Sequence, residues 1–290
     1  YSAIVITFNM TNCSFVQNSA ARGGGFNIQE ILHYIVVSQC YLTMNKATVY
    51  GGAVYIFSVA FKIHDRRIVL INSAITQNHA GSHGGGISIK SSPKYSDTPI
   101  KFGLYAEIDN CSFIFNSANR GGGIYVGKRV HYVIVINSYL LQNLAFNHGG
   151  GIFVLRCRDL FTIHSSIIKE NRAKGDAGGI HIGHHTLIAD CKIVQNIGTH
   201  GGGVYSGSGL NLTVRRSHLH TNKATLHGGA IFFKGQITAA IIKVELAKNI
   251  FSQNKASFIG TTLSFQTNIQ YFCITRTLII DKLQADEAIS

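Results

Sequence analysis

Basic side chains stand in front of paired glycines throughout the chain, and they are the first candidates for chemistry. The residue before six of the eight glycine pairs carries an imidazole or a guanidinium group: Arg22, His83, Arg120, His148, His200 and His227. The other two pairs follow Tyr50 and Ala177. Imidazoles titrate near neutral pH and guanidinium groups are permanently charged. If these residues share one solvent-facing column, we expect a binding stripe for an anionic partner; if they only flank a bend, they stack on one another.

The same column gives little basis for metal binding or acid catalysis. A zinc site needs three or four converging ligands, and one column supplies at most two per step, so we expect no metal ion and no cofactor. The chain has 13 acidic residues, and Asp109 and Asp190 lie three repeats, roughly 14 Å, apart. We therefore expect no catalytic residues and a non-enzymatic protein. A polysaccharide lyase or hydrolase that uses Lys, Arg or His as its base is the alternative.

A long repeat must position these residues. Asparagines followed two positions later by a small residue recur at intervals of 25 to 38 residues: Asn18, Asn45, Asn78, Asn116, Asn143, Asn171, Asn196, Asn222 and Asn254. An apolar residue stands three positions before each of them, and a small residue, usually Cys or Ser, stands five before. Stacked Asn side chains can pass amide hydrogen bonds from one repeat to the next, and Asn tolerates the left-handed backbone of a sharp bend. We therefore assign the Asn residues a structural role.

Short strands fill the repeat. Apolar residues alternate behind each glycine pair, as in Ile87 and Ile89, so the local period is two while the long period approaches 30. This combination predicts an all-β, single-stranded, right-handed parallel β-helix of about nine to ten coils. It would span residues 1–265, with residues 266–290 as a partial last coil or a C-terminal cap. The recurring glycines then mark bends with positive φ or close backbone approach and exclude a single phosphate-binding loop.

Composition limits the partners. Lys and Arg outnumber Asp and Glu by 26 to 13, so a positive surface favours anionic partners. No run of about 18 apolar residues predicts a membrane-spanning helix. The chain starts in a strand-like pattern, so we expect a processed product or a fragment. Six cysteines show no metal or disulfide framework, although Cys13 and Cys40 fall in adjacent repeats. N-glycosylation sequons occur at Asn9, Asn12, Asn110 and Asn211.

Two short motifs carry a resemblance to a known family. The motif Gly-Gly-Ala-Ile/Val stands at residues 51–54 and 228–231, and Phe-x-x-Asn at residues 15–18, 113–116 and 251–254. Over about residues 10 to 265 this pairing resembles the repeats of the chlamydial polymorphic outer membrane proteins. The resemblance implies a β-helix that is displayed as an adhesin or structural scaffold at the cell surface or outside the cell. It also implies a non-enzymatic role.

Anionic glycans or other surface proteins are the partners that charge and resemblance predict, and further copies or coils of a longer parent chain are another option. We expect no specific nucleic-acid partner. Two long insertions, residues 57–67 and 90–103, lengthen neighbouring coils. Because loops grafted onto a solenoid commonly carry recognition, they are candidate partner surfaces, although decoration without function is an equal alternative.

Overall fold

The computed structural model describes residues 7–29, 34–60, 66–93, 103–207, 211–234, 243–266 and 271–279. Every regular element in this part of the chain is a β-strand, and each strand pairs in parallel with its counterpart one repeat away. The strands form sheets of 17, 10 and 9 strands, which we call face 1, face 2 and face 3. The predicted right-handed parallel β-helix is confirmed. One turn of the helix is called a rung below.

Face 1 contains two bands of strands in each rung. The first band follows the glycines: Phe26–Gln29, Val54–Ala60, Ile87–Pro93, Ile180–Ile182, Val204–Ser206, Ile231–Lys234 and Leu263–Gln266. The second band is Thr7–Thr11, Tyr34–Ser38, Arg66–Ile71, Leu104–Asp109, Thr186–Ala189, Leu212–Arg215, Lys243–Ala247 and Tyr271–Thr275. Two long strands, Ile124–Ile136 and Ile152–His164, run through both bands and join them into one sheet.

Faces 2 and 3 are made of shorter strands. Face 2 consists of Ser14–Val16, Tyr41–Thr43, Ala74–Thr76, Ser112–Ile114, Tyr139–Leu141, Ile167–Lys169, Lys192–Val194, His218–His220, Ile250–Ser252 and Leu278–Ile279. Face 3 consists of Ser19–Arg22, Lys46–Tyr50, His79–His83, Ser117–Arg120, Leu144–Ala145, Arg172–Ala173, Ile197–His200, Lys223–His227 and Lys255–Ala256. The middle residue of each inner face 2 strand is fully buried, as Ile75, Phe113 and Leu140 are. These residues stack into the core with the alternating apolar residues of face 1.

Each corner between faces contains one residue per rung with a left-handed backbone. Before face 2 this residue precedes the Cys or Ser, as in Asn110 (φ 48°); before face 3 it precedes the Asn, as in Gln77 (φ 57°). We expected the Asn itself to adopt this conformation, and that expectation was wrong: among the described residues the Asn of the repeat has ordinary φ, and the residue before it makes the bend. The Asn side chain is thereby turned into the protein, where its amide is buried.

The buried Asn side chains form a continuous ladder. Asn116 Nδ2 donates to Asn143 Oδ1 (3.0 Å) and to the Ile75 carbonyl (2.8 Å), while Asn143 Oδ1 also accepts from the Asn116 backbone N–H (3.0 Å). The Asn-to-Asn bond recurs at every step from Asn18 to Asn254. Because each inner amide has both donor and acceptor partners, burying these polar groups costs little free energy.

The small residues at the corner before face 2 are buried in the same way. Cys111 N–H donates to Ser138 Oγ (3.1 Å), and Cys111 itself is fully buried. All six cysteines are free thiols, including Cys13 and Cys40, and burial raises the pKa of the Cys111 thiol to about 12. This column is therefore made of inert, space-filling residues.

The three consecutive positions of the bend after face 3, mostly glycines, have different structural requirements. Gly84 has φ of +67°, a conformation that side chains rarely adopt. A Cβ on Gly122 would lie 2.4 Å from the Gly150 carbonyl oxygen, so the second glycine is required by close backbone approach. Ala53 and Ala230 occupy the third position, which therefore accepts a methyl group. The bend that these residues form between faces 3 and 1 is called the glycine corner below.

The repeat continues past residue 265. Strands Tyr271–Thr275 and Leu278–Ile279 pair in parallel with the preceding rung, as a partial last coil would, and residues 280–290, with most of the expected cap, lie outside the described residues. Parts of the two insertions, residues 61–65 and 94–102, also lie outside them. A search of the described residues for a helix long and apolar enough to cross a membrane finds none.

Candidate functional site

The six basic residues lie in one column along the glycine corner. His83 is in register with Tyr50 on one side and Arg120 on the other, Arg22 is in register with Tyr50, and His200 with His227. Gly121 N–H donates to the His148 carbonyl, which places His148 one rung after Arg120. We call this set, with the residue described next, the corner column.

Asp176, rather than Ala177, completes the column. Gly149 N–H donates to the Asp176 carbonyl (2.9 Å), and Ala177 N–H donates to the His200 carbonyl (2.9 Å). Ala177 has φ of 59° and so takes the place of the first glycine of the bend. Our alignment of Ala177 with the basic residues was therefore wrong by one position. The structure places a carboxylate between His148 and His200.

A second column of side chains lies beside the first. The outward-pointing residues of the first band of face 1 follow one another in register from rung to rung: Tyr55, Ser88, Tyr125, Phe153, His181, Tyr205 and Phe232. We call this the ring column. Although these side chains point away from the core, Tyr125 and Phe153 are each only 3% exposed. The glycine corner therefore carries a second buried layer outside the barrel of strands.

Side chains of the corner column pack against side chains of the ring column. Ring centroids lie 4.3 Å apart between His83 and Tyr125, 5.4 Å between His148 and His181, and 4.9 Å between His200 and Phe232. This layer was not predicted, because it depends on contacts between two columns rather than on the pattern of either column. The signal was present: aromatic residues or His recur one position after the first buried residue that follows the glycines.

Burial removes the charge from part of the corner column. Burial first, and then the positive charges of Lys90 and Arg120, lower the pKa of His83 to about 4. Burial also lowers the pKa of Lys90 to about 8, with Arg22 contributing, and the Lys90 ammonium lies 3.1 Å from the centre of the Tyr50 ring. His83 is therefore neutral at pH 7, and the lasting positive charge of this region comes from Arg and Lys.

Cations extend along the corner from its first rung to its eighth. They are Arg22 and Arg120 in the corner column, and Lys90, Lys128, Arg156 and Lys234 on the first band of face 1 or just past it. We call these six residues the basic flank. Within the part of the chain that the structure describes, none of them forms an ion pair. The basic flank is thus positively charged and has no internal counter-charge from an ion pair.

Asp176 organises a group of imidazoles near the middle of the corner. His200 Nδ1 lies 2.7 Å from Asp176 Oδ1, and His148 Nδ1 lies 3.5 Å from Asp176 Oδ2. The Asp176 backbone N–H donates to His148 Nδ1 (2.9 Å). His181, from the ring column, stacks between Phe153 and Tyr205 at ring distances of 4.4 and 4.6 Å. Burial lowers the pKa of His181 to about 3.

The other acidic residues do not form a carboxylate pair in the described part of the chain. Asp109 accepts from Asn137 Nδ2 (3.0 Å). Asp190 lies three rungs further on, where Arg216 and His164 bind it. Glu170 occupies the bend before Asn171, where it accepts from Gln142 Nε2 (2.8 Å). These acidic side chains make structural contacts on the surface of the solenoid.

The four sequons lie on the outer surface. Asn9 is exposed on the first strand, and Asn12 and Asn110 are exposed bend residues. Asn211 is half-buried, and its Oδ1 accepts from the Lys243 N–H (3.0 Å). Asn12 and Asn110 precede the Cys of the repeat, so their sequons follow from the repeat pattern itself. Glycosylation at these positions stays a prediction.

Fold and comparisons together define the class of protein. Parallel strands stacked on three faces make the chain a right-handed parallel β-helix. The family model described as the right-handed beta helix region matches residues 100–270, more than half of the chain, and the chain belongs to this family. Comparison with curated proteins and with solved structures finds no match. The family supports either a scaffold or an enzyme of the pectate-lyase kind, so the function must be argued from the glycine corner.

Proposed function

We propose that the chain is a non-enzymatic β-helix scaffold, displayed outside the cell or on its surface, that binds anionic glycans along the basic flank. The observation that carries this proposal is the group of six cations along the glycine corner, none of which forms an ion pair with a residue that the structure describes. Stacked rungs repeat at about 4.8 Å, and the cations lie in the first, third, fourth, fifth and eighth rungs, so they offer positive charge along one side of the solenoid to an extended polyanion. The resemblance to the polymorphic outer membrane proteins supports an adhesive role.

In this proposal the Arg and Lys side chains, rather than His83, supply the positive charge that binds the glycan. Arg22, Arg120 and Arg156 stay charged at any physiological pH, whereas His83 stays neutral down to about pH 4. Binding should therefore depend strongly on salt and little on His83. His83→Gln should leave affinity unchanged at pH 7, and affinity should fall steadily as salt screens the cations.

A binding titration with matched variants tests the proposal. Heparin-derived oligosaccharides and polygalacturonate are titrated by calorimetry, with dextran as the uncharged control. Replacing Arg120, Lys128 and Arg156 together by Gln should lower affinity at least tenfold. Replacing Lys192, Arg215 and Lys248 by Gln removes the same charge at the corner before face 2 and should have little effect. Equal losses in both triple variants, or no saturable binding to either polyanion, would contradict a site on the basic flank.

Acid–base catalysis is the second candidate, because one observation favours it. The 2.7 Å contact between His200 Nδ1 and Asp176 Oδ1 fixes the imidazole so that Nε2 is free to accept a proton. Such a base could start the cleavage of a uronic-acid polysaccharide. Incubation with pectin, alginate and glycosaminoglycans, followed by assays for unsaturated and reducing ends, separates the candidates. Turnover that His200→Gln abolishes would replace the scaffold proposal.

A further inference from the structure

The glycine corner brings three metal-ligating side chains together from two columns. One nitrogen each from His148 and His181 and a carboxylate oxygen from Asp176 all lie within 4.8 Å of one another. Zinc bonded to N and O ligands at about 2.1 Å needs donor atoms about 3.4 Å apart in a tetrahedron. The 3.5 Å distance from His148 Nδ1 to Asp176 Oδ2 already meets this requirement. The His181 nitrogen lies within 4.8 Å of both other ligand atoms and would move closer to them to complete the tetrahedron.

The His181 ring contains a buried polar atom without a partner. Its Nδ1 is inaccessible to solvent and makes no hydrogen bond among the described residues. A buried imidazole nitrogen without a partner costs free energy, and a bound metal ion is one of the few groups that can supply the missing contact. Rings on both sides, Phe153 and Tyr205, hold the imidazole in this orientation.

The carboxylate is held in place from its other side. His200 Nδ1 contacts Asp176 Oδ1, which leaves Oδ2 facing His148. Carboxylates that ligate metal ions are usually held by a further hydrogen bond, and His200 supplies that contact here. Without a metal ion, His148 Nδ1 accepts a hydrogen bond from the Asp176 backbone N–H. A metal ion bound to Nδ1 would replace that hydrogen bond.

We propose that His148, Asp176 and His181 form a binding site for a divalent transition-metal ion of the zinc class, with His200 as the supporting residue. Two imidazoles and one carboxylate suit Zn²⁺ or Co²⁺ and disfavour Ca²⁺, which takes oxygen ligands. Three protein ligands leave a fourth position for water or an anionic ligand. Arg120 and Lys234 act on His148 as neighbouring positive charges, so we expect them to weaken the binding of a divalent cation.

Calorimetry with Zn²⁺ at pH 7.5 tests the site, and Co²⁺ serves as the absorbing probe of coordination. The wild-type chain should bind one Zn²⁺, and Asp176→Asn and His181→Gln should each weaken binding at least tenfold. His200→Gln should weaken it by a smaller factor. His218→Gln, which changes an exposed imidazole on face 2, should bind as the wild type does. Ca²⁺ should not compete.

Two outcomes would overturn the proposal. One is wild-type Zn²⁺ affinity in both Asp176→Asn and His181→Gln; the other is the lack of a saturable one-ion site in the wild type. Circular dichroism establishes that each variant is folded, and His148→Gln replaces any variant that is not. Glycan titration of Asp176→Asn without metal separates the two proposals, because the basic flank should still bind when the metal site is lost.

Discussion

His83 shows how burial decides the charge of a residue that the sequence marks as basic. The ring packs between Tyr50 and Tyr125, and Ser82 Oγ lies 2.7 Å from its Nδ1. Lys90 and Arg120 add repulsion, so protonation is disfavoured twice. At the residue scale, His83 therefore supplies a contact with the ring column rather than a positive charge.

This environment predicts a loss of stability in mild acid. Unfolded His83 takes up a proton near pH 6.5, but the folded residue does so only near pH 4, so the free energy of unfolding falls as pH drops through that window. Allowing for solvent screening, His83→Gln should reduce the loss between pH 7 and pH 4.5 by on the order of 1 kcal/mol, measured by urea unfolding. Asp190, whose pKa Arg216 holds below 3.8, adds its own loss only at lower pH. Identical losses in the two chains would rule out this role for His83.

At the scale of elements, the glycine corner depends on backbones approaching across neighbouring rungs. Gly122 N–H donates to the Gly149 carbonyl, and its Cα faces the Gly150 and Leu144 carbonyl oxygens of the next rung. Since those contacts are to backbone atoms, no side-chain rotation can make room for a methyl group. The strands of faces 3 and 1 can only meet at this angle if the second position is glycine.

Alanine substitutions at neighbouring glycines should therefore differ in cost. Gly122→Ala places a Cβ 2.4 Å from a carbonyl oxygen and should destabilise the chain by about 3 kcal/mol or more. Gly123→Ala places a Cβ 2.8 Å from the Gly151 carbonyl oxygen, but Ala53 and Ala230 already stand in this column, so it should cost clearly less than Gly122→Ala, about 1 to 2 kcal/mol. Denaturant unfolding of both variants measures the difference. Similar costs would mean that the close approach at Gly122 relaxes easily.

On the scale of the whole molecule, each rung is stabilised by its two neighbours. Core stacking, strand pairing and the Asn ladder all act between adjacent rungs, so stability is approximately a sum of neighbour terms. An inner rung has neighbours on both sides. The described rung of Asn18 has one neighbour, and Asn18 itself is exposed.

The cost of removing a ladder amide should depend on its rung. Asn143→Ala removes the acceptor of the Asn116 backbone N–H, one of the two acceptors of Asn116 Nδ2 and the side-chain donor to the Phe113 carbonyl, all in the core, which should cost about 3 to 5 kcal/mol. Asn18→Ala removes one partly exposed hydrogen bond and should cost about 1 kcal/mol or less. Thermal and denaturant unfolding compare the two variants. Equal costs would contradict the neighbour-dependent account.

The sequence alone determined the columns of this protein. A period near 30 with strands of period two favours stacked rungs, so the fold, the Asn ladder and the apolar core of Phe113 and its neighbours could be predicted from spacing. The bends at the Asn and at the glycines were predicted, but not in detail, and the third bend of each rung, before face 2, was not assigned. Spacing does not show whether Gln77 or Asn78 adopts the left-handed backbone, because both residue types tolerate it.

Only the tertiary structure decided what meets at the glycine corner. Asp176 enters the column of basic residues because Ala177 takes the left-handed position of a glycine, and a sequence alignment of glycine pairs places the wrong residue there. His181 reaches His148 because the corner angle folds two columns onto each other. Both facts depend on the backbone path between faces, which is set by packing across rungs rather than by any local pattern.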